Sequence, residues 1–368
     1  MNRKNLLLIF VIVVFSLIAL GLIIWLFFFG GGATTETPAT PEIEEENLVV
    51  EEISFPENIS FFTEIEIGAY WPQEEDGSIL FLSQEGLVYQ YFPETGEITE
   101  FDDINIEGYL SADLSLEENH ILIRDNSGEY FVYSLETREK IRLPIGIRSA
   151  VWSGSDLEIL FFSEANQGGG GINIFNIDTL RSRVALAFQG YDFLLQSGAD
   201  GLAYLISRAS RFSPGELWQL SSNYTSLSKV EEKPGLMVAF SPYDSSRLVF
   251  SNSSLPKSAE LIHISASGVR RSLDFVTLPS KCAFVEDGDF ACAVPSESAK
   301  NYPDEYLQGG AYTNDRLVFI DGRSGQQTTL FSSKEENSFL LDAKELKIVG
   351  ERLYFINRYD QRLYSIDL

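Results

Sequence analysis

The 368-residue sequence predicts an all-β domain behind one membrane-spanning helix, and three observations carry this prediction. Short apolar runs recur about every 40 to 45 residues along most of the chain. Each run is preceded by one strand-like segment and followed by two more, with turn residues between them. Apolar residues at helical spacing are absent after residue 30. Four strands per unit at this period is the repeat of a β-propeller blade, so we expect a β-propeller.

The spacing of the apolar runs predicts the number of blades. One residue from each run can be taken as equivalent, namely Phe81, Ile123, Phe161, Tyr204, Phe250, Ala293 and Phe355. The intervals between these positions are 42, 38, 43, 46, 43 and 62 residues. Six intervals define seven units, so the sequence predicts a seven-bladed β-propeller, and the last interval indicates an insertion.

Two of the units resemble known repeats. Residues 151–163 (VWSGSDLEILFFS) and 239–251 (AFSPYDSSRLVFS) are similar to the repeats of TolB-like and WD40-like bacterial propellers. In those repeats a small residue, an aromatic residue and a Ser-Pro-Asp turn lead into an apolar second strand. The resemblance covers roughly residues 48–368 and implies an interaction platform. The Trp-Asp pair of eukaryotic repeats is missing, and a fold alone does not define a function.

The N-terminal residues predict a membrane anchor. Residues 6–29 carry no charge, and a helix of this length spans roughly 36 Å at about 1.5 Å per residue, enough to cross the hydrocarbon core. Arg3 and Lys4 precede this segment and the first acidic residue is Glu36, so residues 1–5 are expected in the cytoplasm. We expect a single-pass cell-membrane protein with an extracytoplasmic propeller. A cleaved signal peptide is the alternative, although its apolar region should be only about 7 to 15 residues long.

Composition defines the rest of the domain organisation. Residues 30–47 (GGGATTETPATPEIEEEN) are small, proline-bearing and acidic, which predicts a flexible linker before a propeller at residues 48–368. The chain has 27 basic and 54 acidic residues and a net charge of -27. Such a surface repels phosphate backbones, so nucleic acid is not an expected partner.

The last unit predicts how the ring closes. It has strand-like segments near residues 340–343, 353–357 and 362–366, and the sequence then ends at Leu368, which leaves no outer strand. An incomplete blade would expose unpaired backbone groups along its outer edge. We therefore expect residues 48–55 (LVVEEISF) to complete the seventh blade as an N-terminal strand. The alternative is that these residues merely extend the linker.

Cys282 and Cys292 are predicted to form a disulfide. Residues 286–288 (EDG) between them suit a three-residue hairpin loop with glycine in the left-handed conformation. This register places the two cysteines directly opposite each other, at a non-hydrogen-bonded position where side chains are closest. Export favours the bond, and two buried reduced thiols are the alternative.

The sequence contains no recognisable catalytic or cofactor motif. Patterns for serine nucleophiles, zinc proteases, EF-hands and phosphate-binding loops are absent, and two histidines offer little material for a multi-histidine metal site. We therefore predict no enzyme, no cofactor and no metal site. Calcium bound in a loop is left open as an alternative.

Unequal loop lengths predict where a partner binds. The connections between second and third strands all emerge on one face of a propeller, and four consecutive units have long ones, at residues 164–171, 208–215, 253–259 and 296–314. Long loops are uncommon unless they bind something or lack structure. Their aromatic and charged residues are types that anchor protein interfaces. The predicted partner-binding residues are Arg208, Arg211, Phe212, Tyr302, Asp304, Glu305, Tyr306 and Tyr312.

Together these patterns predict a membrane-anchored, extracytoplasmic β-propeller that acts as a binding platform at the cell envelope. Its expected partner is another protein or a cell-wall polymer. Two alternatives stay open. One is an extracytoplasmic hydrolase or lyase with acidic residues in the propeller channel. The other is a structural spacer or assembly factor without a stable ligand.

Overall fold

The structure is a computed structural model that describes residue 56 and residues 58–73, 76–165, 169–188, 193–252, 259–297, 303–332 and 339–368. The predicted anchor at residues 6–29, the linker at 30–47 and the strand at 48–55 lie outside this part of the chain. Within the described residues, no helix is long and apolar enough to cross a bilayer.

The described residues contain 28 strands. The first is β1 (Ile59–Phe61), which precedes the blades. The first three blades contain β2 (Ile67–Pro72), β3 (Ile79–Ser83), β4 (Leu87–Phe92), β5 (Glu97–Asn105), β6 (Tyr109–Leu114), β7 (His120–Asp125), β8 (Tyr130–Ser134), β9 (Lys140–Arg142), β10 (Ile147–Ser155), β11 (Glu158–Ala165), β12 (Gly169–Asn176) and β13 (Arg181–Phe188).

The other blades follow in chain order. Blades four and five contain β14 (Phe193–Ser197), β15 (Ala203–Ser207), β16 (Pro214–Leu220), β17 (Leu227–Pro234), β18 (Met237–Phe240), β19 (Arg247–Asn252), β20 (Ala259–Ile264) and β21 (Arg270–Ser272). The last two contain β22 (Cys282–Phe284), β23 (Phe290–Pro295), β24 (Asp315–Ile320), β25 (Gln327–Ser332), β26 (Ala343–Val349), β27 (Arg352–Asn357) and β28 (Arg362–Asp367). One short helix, α1 (Asp304–Leu307), lies between β23 and β24.

These strands form seven four-stranded antiparallel sheets, which confirms the all-β, seven-bladed propeller. All seven positions that the sequence aligned lie in second strands and are buried. First strands of neighbouring blades contact each other, so they form the inner ring around the channel. Because neighbouring strands run in opposite directions, the connections between second and third strands and the crossovers between blades open on the same side. We call this side the upper face.

The core consists of layers between adjacent blades. One cluster joins Leu82 and Val88 of blade one to Ile121 and Ile123 of blade two. A strand in the middle of a blade is therefore covered on both faces, and β3 (ILFLS) is buried at every position. This double coverage explains why the second strands appear in the sequence as continuous apolar runs rather than as alternating ones.

An N-terminal strand completes the seventh blade, but it is not the one that the sequence predicted. The sheet order is β1-β28-β27-β26, and Ile59 lies opposite Ile366. Ile59 packs in a cluster that also contains Leu317 and Phe331 of blade six, so β1 joins two blades. The prediction of residues 48–55 was wrong because a three-residue strand is too short to show a periodicity.

The hairpin of blade six has the predicted register. Cys282 on β22 lies opposite Cys292 on β23, their Cα atoms are 4.1 Å apart and their sulfur atoms are bonded. The Val285 N–H donates to the Asp289 carbonyl at 2.8 Å, and Gly288 takes a φ of 81°. Glycine is suited to this turn because it has no Cβ to strain a positive φ.

Substitution of Ile59 tests the closure of the ring. Ile59→Ala should lower the free energy of unfolding by about 2–5 kcal/mol, because Ile59 is only 5% exposed and its removal leaves a cavity between two blades. The matched control is Ile98→Ala on β5, the outer strand of blade one, where the side chain is 38% exposed and the change should stay within about 0.5 kcal/mol. Urea unfolding of both variants measures the difference, and equal losses would contradict the role of β1.

Candidate functional site

Two of the four predicted long connections are described on the upper face. The connection between β15 and β16 comprises residues 208–213, and the insertion between β23 and β24 comprises residues 296–314. Residues 253–258 and 298–302, including Tyr302, lie outside the described residues. The predicted loop at 164–171 was wrong, because β11 and β12 continue their ladder through this region and leave only residues 166–168 outside the description.

The insertion of blade six contacts the connection of blade four. The Arg211 backbone N–H donates to Asp304 Oδ2 at 3.1 Å, and Asp304 is the first residue of α1. The Arg211 guanidinium lies 4.9 Å from the centre of the Phe212 ring. The structure thus brings these residues together although 93 positions separate Arg211 from Asp304. We call residues 208–213 together with 303–314 the insertion sector.

The insertion sector exposes large apolar side chains. Phe212 is 82% exposed, Tyr312 is 55% exposed and Leu307 on α1 is 50% exposed. Glu305 is also exposed, so an acidic group lies beside the apolar ones. Side chains of this size gain about 1.5–3 kcal/mol on full burial, so their exposure leaves free energy available for binding.

A buried ion cluster lies beneath the insertion. Lys281, which precedes β22, lies 2.6 Å from Asp315 Oδ2 and 2.7 Å from Asp342 Oδ1. Asp315 begins β24 and Asp342 directly precedes β26, so one ammonium group joins three positions of blades six and seven. All three side chains are buried. Burial raises the pKa of Asp315, and the opposing charge of Lys281 only partly offsets this effect.

The insertion is attached to this cluster by Thr313 and Tyr306. The Thr313 hydroxyl accepts a bond from Lys281 Nζ at 2.7 Å and donates to Asp342 Oδ1 at 2.9 Å. The Tyr306 hydroxyl donates to Asp342 Oδ1 at 3.2 Å, so this ring points toward the blades. Burial raises the pKa of Tyr306, and Lys281 opposes this effect. The Tyr306 hydroxyl thus attaches the insertion to blade seven, and the predicted partner contact of Tyr306 stays a prediction.

Arg358 links the cluster to the exposed end of the sector. Its Nη1 donates to Asp342 Oδ2 at 2.8 Å, and its guanidinium lies over the rings of Tyr306 and Tyr312, at 4.4 and 4.6 Å from their centres. Tyr312 also stacks on Tyr359 with ring centres 5.3 Å apart. Tyr312 is therefore held in place while half of its surface faces solvent.

Sequence analysis missed the residues that form this base. Lys281, Asp315, Asp342 and Arg358 were not predicted as site residues, and the only local signal is a charged residue at the edge of an apolar run, as in PSKCAF and FLLDAK. Burial raises the pKa of Tyr130 on β8, and the positive charges of Arg124 and Arg208 oppose this effect. The partner contact of Arg208 stays a prediction.

The channel carries a second group of ionisable residues. Asp113 lies on β6, and Glu345 and Lys347 lie on β26, where a bulge interrupts the ladder between 344 and 347. Desolvation by the surrounding strands raises the pKa of both carboxyl groups and lowers the pKa of Lys347, although Asp113 and Glu345 are themselves exposed to solvent, and the charge of Lys347 acts on each carboxylate. Lys347 Nζ donates to the Tyr70 carbonyl. The channel wall is therefore not purely apolar.

Metal ligands are not clustered in the part of the chain that the structure describes. No group of three or more His, Cys, Asp or Glu side chains there could hold a metal ion.

Comparison with known proteins supports the fold. No protein-family model matches the sequence, and no curated protein sequence matches it. Among solved structures, the chain is similar to an oligogalacturonate lyase from Vibrio parahaemolyticus, with a TM-score of 0.60 and 11% identity over 84% of this chain and 93% of the lyase. The β-propeller domain of Cps50 (Swd1) from Myceliophteria thermophila matches with a TM-score of 0.56 and 8% identity over 84% of this chain and 99% of that domain.

The WD40 repeats of RRP9 match with a TM-score of 0.53 and 10% identity, over 84% of this chain and 97% of that chain. At such identities the likeness shows the fold alone. The chain is a seven-bladed β-propeller with WD40-like structural neighbours.

Substitution of Lys281 tests the base of the insertion sector. Lys281→Met should lower the free energy of unfolding by about 3–5 kcal/mol, because it leaves Asp315 buried without its cation. The matched control, Arg352→Met, removes an exposed ion pair with Asp367 and should change stability by no more than about 1 kcal/mol.

The difference in unfolding free energy between the wild-type protein and Lys281→Met should become smaller as the pH is lowered from neutral. In the variant, the folded-state pKa of Asp315 lies above its unfolded value, so the penalty is present at higher pH and disappears once the carboxyl group is protonated in both states. Urea unfolding across a pH series measures this trend. A loss that is independent of pH, or equal to that of Arg352→Met, would argue against the cluster.

Proposed function

We propose that this protein is a membrane-anchored, extracytoplasmic propeller that binds another protein through the insertion sector and has no catalytic role there. The observation that carries the proposal is the exposure of Phe212, Tyr312 and Leu307 in one sector, whose residues Tyr306 and Thr313 bond to a buried ion cluster. Binding sites formed by preorganised apolar side chains lose little conformational entropy when the partner docks.

The chemistry of the exposed groups favours a protein over a wall polymer. Phe212 and Leu307 have no hydrogen-bonding groups in their side chains, so they suit an apolar pocket better than a hydroxyl-rich chain. Aromatic and arginine side chains at the centre of an interface supply most of its binding energy. Arg211 lies beside Phe212, and Glu305 adds a charge that a basic residue of the partner can meet. The net charge of -27 favours encounter with a basic partner.

The membrane and export parts of the proposal rest on the sequence and on one structural feature. The uncharged segment at residues 6–29 behind Arg3 and Lys4 supports an anchor with the propeller outside the cytoplasm. The Cys282–Cys292 disulfide supports export, because such bonds persist in oxidising compartments. The resemblance of residues 239–251 to TolB-like repeats also supports a role at the cell envelope.

A capture experiment tests the binding role. Tagged full-length protein is purified from its own membranes, and the co-purifying proteins are quantified by mass spectrometry. The Phe212→Ala/Tyr312→Ala variant should reduce the recovery of a specific partner by about tenfold or more, because hot-spot side chains are worth about 2 kcal/mol or more each.

The matched control removes apolar side chains that are equally exposed on the opposite face. Leu116 lies in the turn between β6 and β7, and Val269 lies in the turn between β20 and β21. Leu116→Ala/Val269→Ala should retain the partner. Recovery of the same proteins by both double variants would contradict the proposal, as would the absence of any partner enriched over a tag-only control.

A second candidate function uses the channel. The lowered pKa of Lys347 between Asp113 and Glu345 favours it as a base, which a lyase needs to remove the proton that begins an elimination. One structural neighbour is an oligogalacturonate lyase, so a uronic acid polymer is the substrate to try first.

The test of this candidate follows the ultraviolet absorbance of the unsaturated product when full-length protein is incubated with oligogalacturonate. Activity should rise with pH as Lys347 loses its proton, disappear in Lys347→Met and persist in Lys229→Met, which changes a lysine on the outer strand β17. A wild-type protein without activity would remove this candidate for uronic acid substrates.

A further inference from the structure

A separate concave region lies on the upper face between blades two and three. It is a pocket of about 470 Å³, bounded by the turn between β7 and β8 and by the crossover between β9 and β10. This volume falls within the usual range of small-molecule sites, about 300–1,000 Å³. The pocket shares no residue with the insertion sector, so it requires an explanation of its own.

The charge of this pocket is opposite to that of the chain. Arg124, Arg142 and Arg148 line it together with a single acidic residue, Glu129. With all four ionised, the lining carries a net charge of +2, whereas the whole chain carries -27. A concave surface with one sign of charge concentrates ligands of the opposite sign. A local excess of arginine in so acidic a protein therefore indicates an anionic ligand.

Arg124 and Arg142 have defined contacts with neighbouring residues of blade two. Arg124 on β7 lies opposite Tyr130 on β8, and its guanidinium is 5.8 Å from the centre of the Tyr130 ring. Its buried Nε atom has no hydrogen-bond partner. Arg142, the last residue of β9, forms an ion pair with Glu129, which directly precedes β8.

The nearest acidic neighbour in the sequence, Asp125, lies in the turn at the rim, where its negative charge offsets part of the positive charge of the lining. The Asp125 carboxylate accepts bonds from the backbone N–H groups of Ser127 and Glu129 at 2.9 and 3.0 Å. It also accepts a bond from the Ser127 hydroxyl at 2.6 Å. Asp125 is thus used to form the tight turn at the rim and does not line the pocket.

We propose that this pocket binds a small organic dianion, either a phosphate monoester or a dicarboxylate. Arginine guanidinium groups form paired, charge-assisted hydrogen bonds with both kinds of oxyanion, and a charge of -2 matches the +2 of the lining. The crossover also places Ile145, 79% exposed, at the pocket beside Pro144. These apolar groups suit the carbon skeleton of an organic anion. This proposal does not rest on protein binding by the insertion sector.

Calorimetric titration of the full-length protein in mild detergent tests this site. Inorganic phosphate and malonate are titrated separately at constant ionic strength, maintained with sodium chloride. We expect saturable binding of at least one anion with a dissociation constant of about 1 mM or lower. Binding of phosphate alone identifies the ligand as a phosphate ester, and binding of malonate alone identifies it as a dicarboxylate.

Two opposite substitutions make the result specific. Arg142→Gln/Arg148→Gln should weaken binding by about tenfold or more, because both guanidinium groups are lost. Glu129→Gln should tighten it by about threefold, because the lining gains a positive charge. The matched control, Arg181→Gln/Arg183→Gln, removes two exposed arginines from β13 and should leave the affinity unchanged.

Three results would overturn the proposal: no saturable binding of either anion by the wild-type protein, equal weakening in the two arginine double variants, or weaker binding after Glu129→Gln in a protein that melts like the wild type.

Discussion

The fold depends on coverage of every blade on both faces, and this requires a closed ring. Blade seven packs on blade six through a cluster that contains Ile59, Leu317 and Leu353, and on blade one through a cluster that contains Phe81 and Ile356. Loss of the outer strand would remove Ile59 from the first of these layers and leave the edge of the seventh sheet unpaired. The three residues of β1 therefore have an influence on stability that exceeds their own buried area, because they join the beginning of the propeller to its last strand.

The buried ion cluster also lies at the contact between blades six and seven. Removing charges from water is costly, and a hydrophobic replacement of similar volume is often at least as stable. The cluster of Lys281, Asp315 and Asp342 mainly orients the segments that it joins, because its hydrogen bonds and ion pairs require a defined geometry. Thr313 and Tyr306 of the insertion bond to the same carboxylate. These bonds attach the described part of the insertion, residues 303–314, to the blades, with Tyr312 at its exposed end.

The sequence could predict the blades but not the contacts between distant segments. Continuous apolar runs mark the second strands because both of their faces are buried, and the interval of 62 residues revealed the insertion. No local pattern could assign β1, which has three residues, or join Lys281 to Asp342 across 61 positions. The same limit applies to Tyr306, because no local pattern indicates that its hydroxyl attaches the insertion to Asp342, which lies 36 positions further along the chain.

The upper face presents two regions of different chemistry. The insertion sector exposes large apolar side chains, among them Phe212 and Tyr312. The pocket between blades two and three is lined instead by three arginines and one glutamate. The two regions share no lining residue, so a substitution that tests one of them removes nothing from the other. An apolar surface and a cationic pocket on the same face suit a platform that binds ligands of different chemistry.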